Sequence, residues 1–407
     1  MRIDPEKHSW LTALETQAVM QALGNARFVG GAVRNALLGA PVSDIDIAVP
    51  FAPERSMELL QAAGIKAIPT GFDHGTVTAI KNDKIFEVTS LRRDVATDGR
   101  HAVVAYTTEW DEDAARRDFT INALYAAPDG EIFDYVGGMQ DLVAGRVRFV
   151  GEARARIAED YLRILRLFRF HAWYGKGDMD DEALRAAAAA KAGLKQLSGE
   201  RVAKEMLRLL ECPNPAPVLR VMTASGILPE LLPFPLQMTR LESMILCDAE
   251  NLFAPDAVLR LASLLPDDRV VARAVAERLK FSGANRDRLE ELAGAGPLSP
   301  LTSVKAHRLL YKIGADSFKD RVRLSWAAAS PGANSLSWRM LLRVVDDWRQ
   351  PHFPVRGSDV MEAGVPEGPL VGKILADVEN WWIENDFPED EADLAARLKE
   401  AIQAHSP

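Results

Sequence analysis

Cysteine and histidine are scarce in this chain of 407 residues. The only two cysteines, Cys212 and Cys247, are far apart and form no CxxC motif. This spacing excludes a disulfide framework and a cysteine-ligated zinc site. The seven histidines include no HExxH motif, which excludes the common helix-borne zinc hydrolase site.

Long apolar runs are missing as well. Residues 1–7 lead into a mixed amphipathic stretch without the apolar core of a secretory signal. No later run is long enough to cross a membrane. We therefore predict a cytoplasmic protein without membrane association.

Positive charge is in deficit overall, with 49 lysines and arginines against 58 aspartates and glutamates. The net charge of −9 argues mildly against a nucleic-acid partner, because phosphate contacts need basic side chains. The distribution of charge overrides this total. Residues 142–176 carry eight bases and only three acids, whereas residues 374–393 carry eight acids and no base. A basic middle segment of this kind is enough to guide a polyanion.

The chain is too long for one ordinary hydrophobic core. The pattern of its apolar and turn residues also changes along its length. From about residue 27 to 150, short β-type runs alternate with helices and turns, which predicts an α/β or α+β unit. Beyond residue 150, 3.6-residue spacing predicts helices throughout, including a long one over 158–174. The predicted strands are 27–29, 44–49, 76–80, 85–89 and 131–134.

Two carboxylates lie two residues apart in the second of these predicted strands. Asp44 and Asp46 project to the same side of a strand and repel each other unless a cation lies between them. Mg²⁺, bound by carboxylates together with substrate phosphates, is the natural candidate. Upstream, Gly30 and Gly31 allow the backbone to approach phosphates closely, and Arg34 can bind one as a planar fork. We therefore predict a metal-dependent nucleotide site; the alternative is an exposed edge strand that carries two acids.

Glu87 is a candidate third acid, in the predicted strand 85–89. It would have to lie beside the strand of Asp44 to complete a two-metal cage. Otherwise it is an exposed strand glutamate.

A second group of charged residues is found at Arg116, Arg117 and Asp118. Two arginines followed by an acid at a helix entry could hold a triphosphate, while Asp118 accepts a hydrogen bond from a sugar hydroxyl. The same run also fits a helix cap with a surface ion pair.

Charged residues recur every three positions at Asp160, Arg163, Arg166 and Arg169, which predicts a stripe along one side of a helix. The carboxylate of Asp160 can accept from the exocyclic amine of cytosine or adenine while Arg163 donates to the ring. Guanine and uracil place an oxygen where that amine would be. The stripe therefore predicts selection of C and A, or alternatively a solvated row of ion pairs. Downstream, Ser198 is predicted to cap a helix whose Arg201 and Glu205 pack on the preceding helix.

Taken in order, these segments resemble the class II tRNA nucleotidyltransferases, which are the CCA-adding enzymes, and the related bacterial poly(A) polymerases. The match runs from Arg27 to about Glu205, and the ordered set is highly specific. It also includes EVTSLR at 87–92, DGRH at 98–101, FDYVGG at 133–138 and DL at 141–142. A fainter similarity covers GSDVM at 357–361 and GVPEGP at 364–369.

The resemblance implies an α+β head of the DNA polymerase β superfamily over 1–148, a helical neck over 149–215, and a tRNA-binding helical body and tail over 216–407, in a seahorse-like shape. It implies Mg²⁺ held by Asp44 and Asp46, and with Glu87 as the third acid we predict two Mg²⁺ ions at this site. Residues 92–105 correspond to the family's flexible loop, needed for the switch from C to A addition. The implied nucleotide-binding residues are Gly30, Gly31, Arg34, Arg116, Arg117, Asp118, Asn122, Asp160, Arg163, Arg166 and Arg169.

The implied reaction is addition of C, C and A to the 3′ end of tRNA from CTP and ATP, with release of pyrophosphate. A poly(A) polymerase, a CC-only enzyme and a non-catalytic RNA-binding relative are the alternatives. Asn35 stands where the family usually has aspartate, which puts a local ion pair in doubt. Ala102 replaces a usual proline in the loop.

Overall fold

The structure is a computed structural model that describes residues 2–98, 101–299, 301–329 and 335–405. It divides into two compact units, Met1–Pro233 and Phe234–Pro407. The first unit contains a mixed β-sheet and helices, and the described part of the second is helical. Within the described residues, no helix combines the length and the apolar character needed to cross a lipid bilayer.

The main sheet of the first unit has the strand order β3-β4-β5-β2-β1-β8-β9. Strands β2 and β5 run parallel, and the other neighbouring pairs are antiparallel. Strands β6 and β7 form a separate hairpin. The strands are β1 Arg27–Val29, β2 Ile45–Val49, β3 Lys66–Gly71, β4 Thr76–Lys81, β5 Lys84–Ser90, β6 Arg92–Asp98, β7 His101–Tyr106, β8 Leu124–Ala126 and β9 Ile132–Asp134.

All five predicted strands are confirmed to within a residue at each end. Four further strands were not predicted. Strand β3 contains Pro69 and lies at the sheet edge, the position where a strand tolerates proline. The implied loop over 92–105 contains strands β6 and β7, which pair with each other, and Gly99 and Arg100 lie outside the described residues.

One face of the main sheet is covered by helices and forms a core. Phe28, Ile47 and Phe86, on neighbouring strands, are fully buried there. The helices of the first unit are α1 Ser9–Thr12, α2 Leu14–Leu23, α3 Gly31–Leu37, α4 Pro53–Ala62, α5 Trp110–Ala115, α6 Gly138–Ala144, α7 Ala153–Glu159, α8 Leu162–Tyr174, α9 Asp181–Ala189, α10 Gly199–Leu210, α11 Ala216–Ala224 and α12 Ile227–Leu231.

The predicted continuous helix over 158–174 is wrong. Helix α7 ends at Glu159 and α8 begins at Leu162, with Asp160 in an extended conformation (φ −158°, ψ 109°). The Asp160 carboxylate accepts a hydrogen bond from the Leu162 backbone N–H at 3.0 Å. Aspartate competes with the helix in this way because its short side chain bonds nearby backbone groups. The prediction of helices beyond residue 150 is otherwise confirmed in the described residues.

The second unit has its own cores. Phe318, Val322, Trp326 and Trp338 are buried in the larger one, and Val378 in a smaller one. Its helices are α13 Met238–Glu250, α14 Ala257–Leu264, α15 Arg269–Arg278, α16 Gly283–Gly294, α17 Ser303–Ile313, α18 Ala315–Ala328, α19 Ser335–Val344, α20 Gly357–Glu362, α21 Pro369–Glu384 and α22 Glu391–His405.

Candidate active site

The three predicted acids converge where β2 and β5 lie side by side. Asp46 is directly opposite Glu87 in the parallel register, so their side chains project from the same face. Burial, together with the charges of Glu87 and Asp44, raises the pKa of Asp46 to about 6, although Arg117 opposes the shift. The site therefore concentrates negative charge that the protein itself does not neutralise.

This donor set fits a divalent cation that also binds substrate. Among the described residues, no three histidine, cysteine, aspartate or glutamate side chains are already arranged to chelate an ion. Carboxylate oxygens are nevertheless the ligands that hard cations prefer, and Mg²⁺ commonly takes one or two of them together with substrate phosphates. Mutual repulsion between Asp46 and its acidic neighbours is the physical sign that a cation would be stabilised there.

Two cavities adjoin these carboxylates. A groove of about 690 Å³, here called the carboxylate groove, is lined by Asp44, Asp46 and Glu87 together with Trp10 and Ile85. The second, called the arginine cavity, has a volume of about 330 Å³. It is lined by Gly30, Gly31, Ala32, Arg34, Asn35, Val42, Ser43, Asp44, Asp46, Arg117, Asp118, Asn122, Arg166, Arg169, Phe170, Tyr174 and Arg208.

Most of the predicted nucleotide-binding residues thus meet in the arginine cavity. Gly30 lies at the entry to α3 with φ +70°, a conformation that strains any side chain. Space is not the constraint, because a Cβ at Gly30 would approach no heavy atom closer than 3.8 Å. Arg116, Asp160 and Arg163 are not among the lining residues of either cavity.

A buried acid that sequence reasoning missed holds the predicted arginine pair. Asp113, in α5, is fully buried and accepts hydrogen bonds from Arg116 Nη2 at 2.5 Å, Arg117 Nη2 at 2.8 Å and the Tyr125 hydroxyl at 2.7 Å. Burial alone would raise the pKa of Asp113, but the two guanidiniums outweigh it and hold that pKa at about 2. Arg116 also donates to the Arg92 carbonyl at 3.0 Å, at the base of the hairpin. The available signal was the spacing of three and four residues from Asp113 to Arg116 and Arg117, which follow the end of α5.

Asp118 and Asn122 connect the head to α8. Asp118 Oδ2 accepts from Arg166 Nε at 2.8 Å, and its Oδ1 accepts from Asn122 Nδ2 at 3.2 Å. Burial opposes ionisation, yet Arg166 lowers the pKa of Asp118. Arg169 donates through Nε to Glu205 at 2.5 Å. Glu205 was predicted to pack on the preceding helix, but this contact is with α8, which is two helices earlier in the chain.

The proposed base-reading pair is held by other residues. Asp160 Oδ2 accepts from Arg201 Nη2 at 2.6 Å, whereas Arg163 donates to Glu159 and to the Arg156 carbonyl. Arg163 and Asp160 share no side-chain hydrogen bond in the described structure. The predicted single stripe is wrong at its first member, because Asp160 precedes α8. Ser198 occupies the predicted cap position of α10 but makes no side-chain cap bond.

Comparison with known proteins identifies the family. Residues 26–148 match the family model described as "Poly A polymerase head domain". Residues 178–237 match "Probable RNA and SrmB- binding site of polymerase A". The chain is 34% identical over 393 residues to "CCA tRNA nucleotidyltransferase 1, mitochondrial" of Mus musculus, covering 92% of this chain and 86% of that protein. The chain belongs to the CCA tRNA nucleotidyltransferase family.

Bacterial members of the family agree in length and in fold. The CCA-adding enzyme of Streptococcus sanguinis is 28% identical over 408 residues, covering 98% of this chain and all of that protein. The structure of the Bacillus stearothermophilus CCA-adding enzyme in complex with CTP superposes with a TM-score of 0.76 at 26% identity. It covers 96% of this chain and 97% of the other. The predicted α+β head followed by helices is therefore confirmed.

In this CCA tRNA nucleotidyltransferase family member, Arg34 has only uncharged partners in the described residues. It donates to Asn122 Oδ1 at 2.5 Å, to the Tyr174 hydroxyl at 2.8 Å and to Asn35 Oδ1 at 2.8 Å. Asn35 in turn donates to the Pro41 carbonyl at 3.0 Å. Asn35 thus accepts a hydrogen bond from Arg34 but, unlike aspartate, supplies no negative charge to pair with it. Burial lowers the pKa of Arg34, but a guanidinium stays protonated at neutral pH.

Proposed function

We propose that the chain adds C, C and A to the 3′ end of tRNA from CTP and ATP, without a template, and releases pyrophosphate. The observation that carries this proposal is 34% identity across 92% of the chain to a CCA tRNA nucleotidyltransferase. The pairing of Asp46 with Glu87 beside a cavity lined with arginines supplies the chemistry that such a reaction needs. A cytoplasmic location remains a prediction.

Phosphoryl transfer requires charge neutralisation and alignment more than covalent catalysis. Asp44, Asp46 and Glu87 would hold two Mg²⁺ ions, which when bound stabilise charge on the attacking and leaving oxygens. Arg34 and Arg117 would bind phosphate oxygens. Arg117 suits this role because Asp113 and Tyr125 fix its guanidinium in place before substrate arrives.

Ribose binding would fall to Asp118 and Asn122. Arg166 keeps Asp118 ionised, so it is purely an acceptor. A carboxylate has about four lone-pair sites, and those of Asp118 accept two N–H groups of Arg166, the Asn122 amide and the Phe119 N–H. A sugar hydroxyl would therefore replace one of these donors, and the Asn122 amide, at 3.2 Å, makes a longer bond than the Phe119 N–H or the Arg166 Nε.

The experiment that tests the function uses labelled CTP or ATP and three tRNA substrates: one ending at the discriminator base, one ending at CC, and one complete. The expected result is three additions to the first, one to the second and none to the third. Continued ATP addition to the complete tRNA would indicate a poly(A) polymerase. A stop after two additions would indicate a CC-only enzyme. Absence of any incorporation would contradict catalysis.

We further propose that Asp160 and Arg163 select the incoming base. Arg201 holds Asp160 just before α8, and Glu159 holds Arg163 three positions later, in the first turn of α8. Arg163→Ala should raise UTP and GTP incorporation relative to CTP and ATP by about 10- to 100-fold, because a good bidentate base contact contributes about 1–3 kcal/mol of discrimination. Competition assays with all four nucleotides measure this ratio.

Arg154→Ala is the matched control for this prediction, since Arg154 is an exposed arginine of the neighbouring helix α7. Full exclusion of UTP and GTP by Arg163→Ala would contradict base reading by this residue. Glu159→Gln tests the Glu159–Arg163 ion pair separately, because it removes the negative charge that positions Arg163 and leaves the Arg163 guanidinium present.

We also propose that the second unit binds tRNA through a basic pocket of about 430 Å³. Lys319 and Arg323 on α18 face Arg339 and Arg343 on α19 across this pocket. Arg323 is compensated by Asp248 at 2.6 Å, and Asp346 also lines the pocket. Lys319, Arg339 and Arg343 still exceed the one lining acid, which favours an anion there. Phe253 lines the same pocket, with its ring centroid 5.0 Å from Arg323 Cζ.

The double variant Lys319→Gln/Arg343→Gln should weaken tRNA binding and reduce its salt dependence. Each lost phosphate contact lowers the slope of log affinity against log salt by about 0.7–0.9. Filter binding at several salt concentrations measures this slope. Lys373→Gln/Lys399→Gln, two exposed lysines elsewhere in the unit, is the control. Equal slopes for the two double variants would contradict an RNA contact at this pocket.

A further inference from the structure

The five arginines that line the arginine cavity fall into two electrostatic groups. Three have carboxylate partners: Arg117 pairs with Asp113, Arg166 with Asp118, and Arg169 with Glu205. Their charges are largely compensated by the protein. Arg34 and Arg208 have no acid within ion-pair distance in the part of the chain that the structure describes.

Arg208 was not part of any sequence motif that pointed to the site. It lies on α10, its side chain is exposed, and no hydrogen bond from its guanidinium is found in the described structure. The backbone of Arg208 is nevertheless fixed in position. The Trp173 indole N–H donates to the Arg208 carbonyl oxygen at 2.8 Å, which ties this turn of α10 to the end of α8.

Arg34 meets the same end of α8. The residue after Trp173 is Tyr174, whose hydroxyl accepts from Arg34 and whose ring centroid lies 4.0 Å from Arg34 Cζ. Arg34 through its guanidinium, and Arg208 through its backbone carbonyl, are therefore anchored to adjacent residues of one helix terminus. A high local positive potential results at that end of the cavity.

Helix α8 sets the direction in which a nucleotide lies. Arg163, near its first residue, and Tyr174, its last, are separated by about 16 Å along the axis at about 1.5 Å per residue. If the base is read near Arg163, the triphosphate extends toward Tyr174. Asp44 and Asp46, the proposed metal ligands, line the same cavity. The α-phosphate, which reacts, must lie beside them.

We propose that Arg208 binds the terminal phosphates of the incoming nucleotide together with Arg34, and then holds the pyrophosphate until it leaves. This inference rests on the proposed function for the identity of the nucleotide. An unpaired guanidinium matches phosphate geometry as a two-pronged donor. The asparagine at position 35 contributes to the same subsite by leaving Arg34 without a counter-charge.

The test compares Arg208→Gln with Lys204→Gln in the full-length protein. Lys204 is exposed on the same helix one turn earlier and does not line the cavity. On tRNA ending at the discriminator base, Arg208→Gln should raise the KM for CTP and the inhibition constant of pyrophosphate by about 10-fold or more, because hydrogen bonds to charged groups are strong. The inhibition constant of CMP and the KM for tRNA should stay at wild-type values. Arg208→Lys should recover part of the loss.

Two results would overturn the inference. A higher KM for tRNA with an unchanged KM for CTP would mean that Arg208 contacts the RNA backbone. Equal weakening of CTP and CMP would mean that it shapes the cavity and binds no terminal phosphate. Both differ from failure of the proposed function, in which the wild-type protein itself would incorporate neither C nor A.

Discussion

Replacing Asp46 by asparagine should reduce nucleotide incorporation by at least about 10³-fold and should also make the metal-free protein more stable. Incorporation is lost because one of the acids that would hold the cations is removed. Stability is gained because Asp46 is partly buried beside Glu87 and near Asp44, without a cation between them. Affinity for tRNA should change little.

The sign of the stability effect follows from the pKa of Asp46. That pKa is about 6 in the folded protein against an ordinary value of 3.8. Ionised Asp46 therefore destabilises the fold increasingly as pH rises from about 4 to about 6, and fully above that. Removing the charge should stabilise the metal-free protein by about 1–3 kcal/mol at pH 8 and by little near pH 4.

Thermal unfolding in EDTA at pH 4.5 and pH 8, beside single-turnover incorporation with Mg²⁺, measures both parts of this prediction. Asp44→Asn is the control, because Asp44 is exposed. It should lose incorporation with a smaller gain in stability. Near-normal incorporation by Asp46→Asn would count directly against a metal role for this carboxylate.

Features that depend on local spacing could be predicted from the sequence. Alternation along a strand placed Asp44 and Asp46 on one side, and Glu87, in a second predicted strand, could join them only if the two strands lay side by side. The structure pairs Asp46 with Glu87 as that interpretation required. The change from β-type runs to helices near residue 150 was equally visible, because hydrophobic periodicity is a local property.

Features that depend on packing between distant segments could not be predicted. Tyr174 reaches Arg34 across 140 positions, and Glu205 reaches Arg169 across 36. Periodicity does not determine which face of one helix meets another. The recurrence from Asp160 to Arg169 even suggested the wrong local structure, since the capping preference of aspartate ended a helix within the repeat.

The second prediction with a large expected effect concerns Asp113, a buried acid that binds both Arg116 and Arg117. Asp113→Ala should lower the free energy of unfolding of the first unit by about 3–5 kcal/mol, because it leaves two guanidiniums without their acid. The side chains of Arg116 and Arg117 are only 14% and 19% exposed, so water cannot fully replace the lost partner. Arg117 would also lose its fixed position, and the KM for CTP and ATP should rise.

The pH dependence distinguishes this ion-pair role from simple packing. The pKa of Asp113 is about 2 in the folded protein, below its ordinary value of 3.8. Its contribution to stability is therefore present above about pH 4 and is lost as pH falls toward 2. The stability difference between wild type and Asp113→Ala should accordingly shrink between pH 4 and pH 2, whereas a packing defect would persist.

Asp111→Ala provides the matched control, since Asp111 is an exposed aspartate on the same helix. Because the chain has two compact units, hydrogen exchange of α5 and β8 is preferable to a global signal. Protection of these segments should fall in Asp113→Ala and stay at wild-type level in Asp111→Ala. Equal protection in both variants would show that Arg116 and Arg117 are held by their surroundings without the acid. The fixed position of Arg117 would then have to come from Tyr125, which donates to Asp113 and accepts from Arg117.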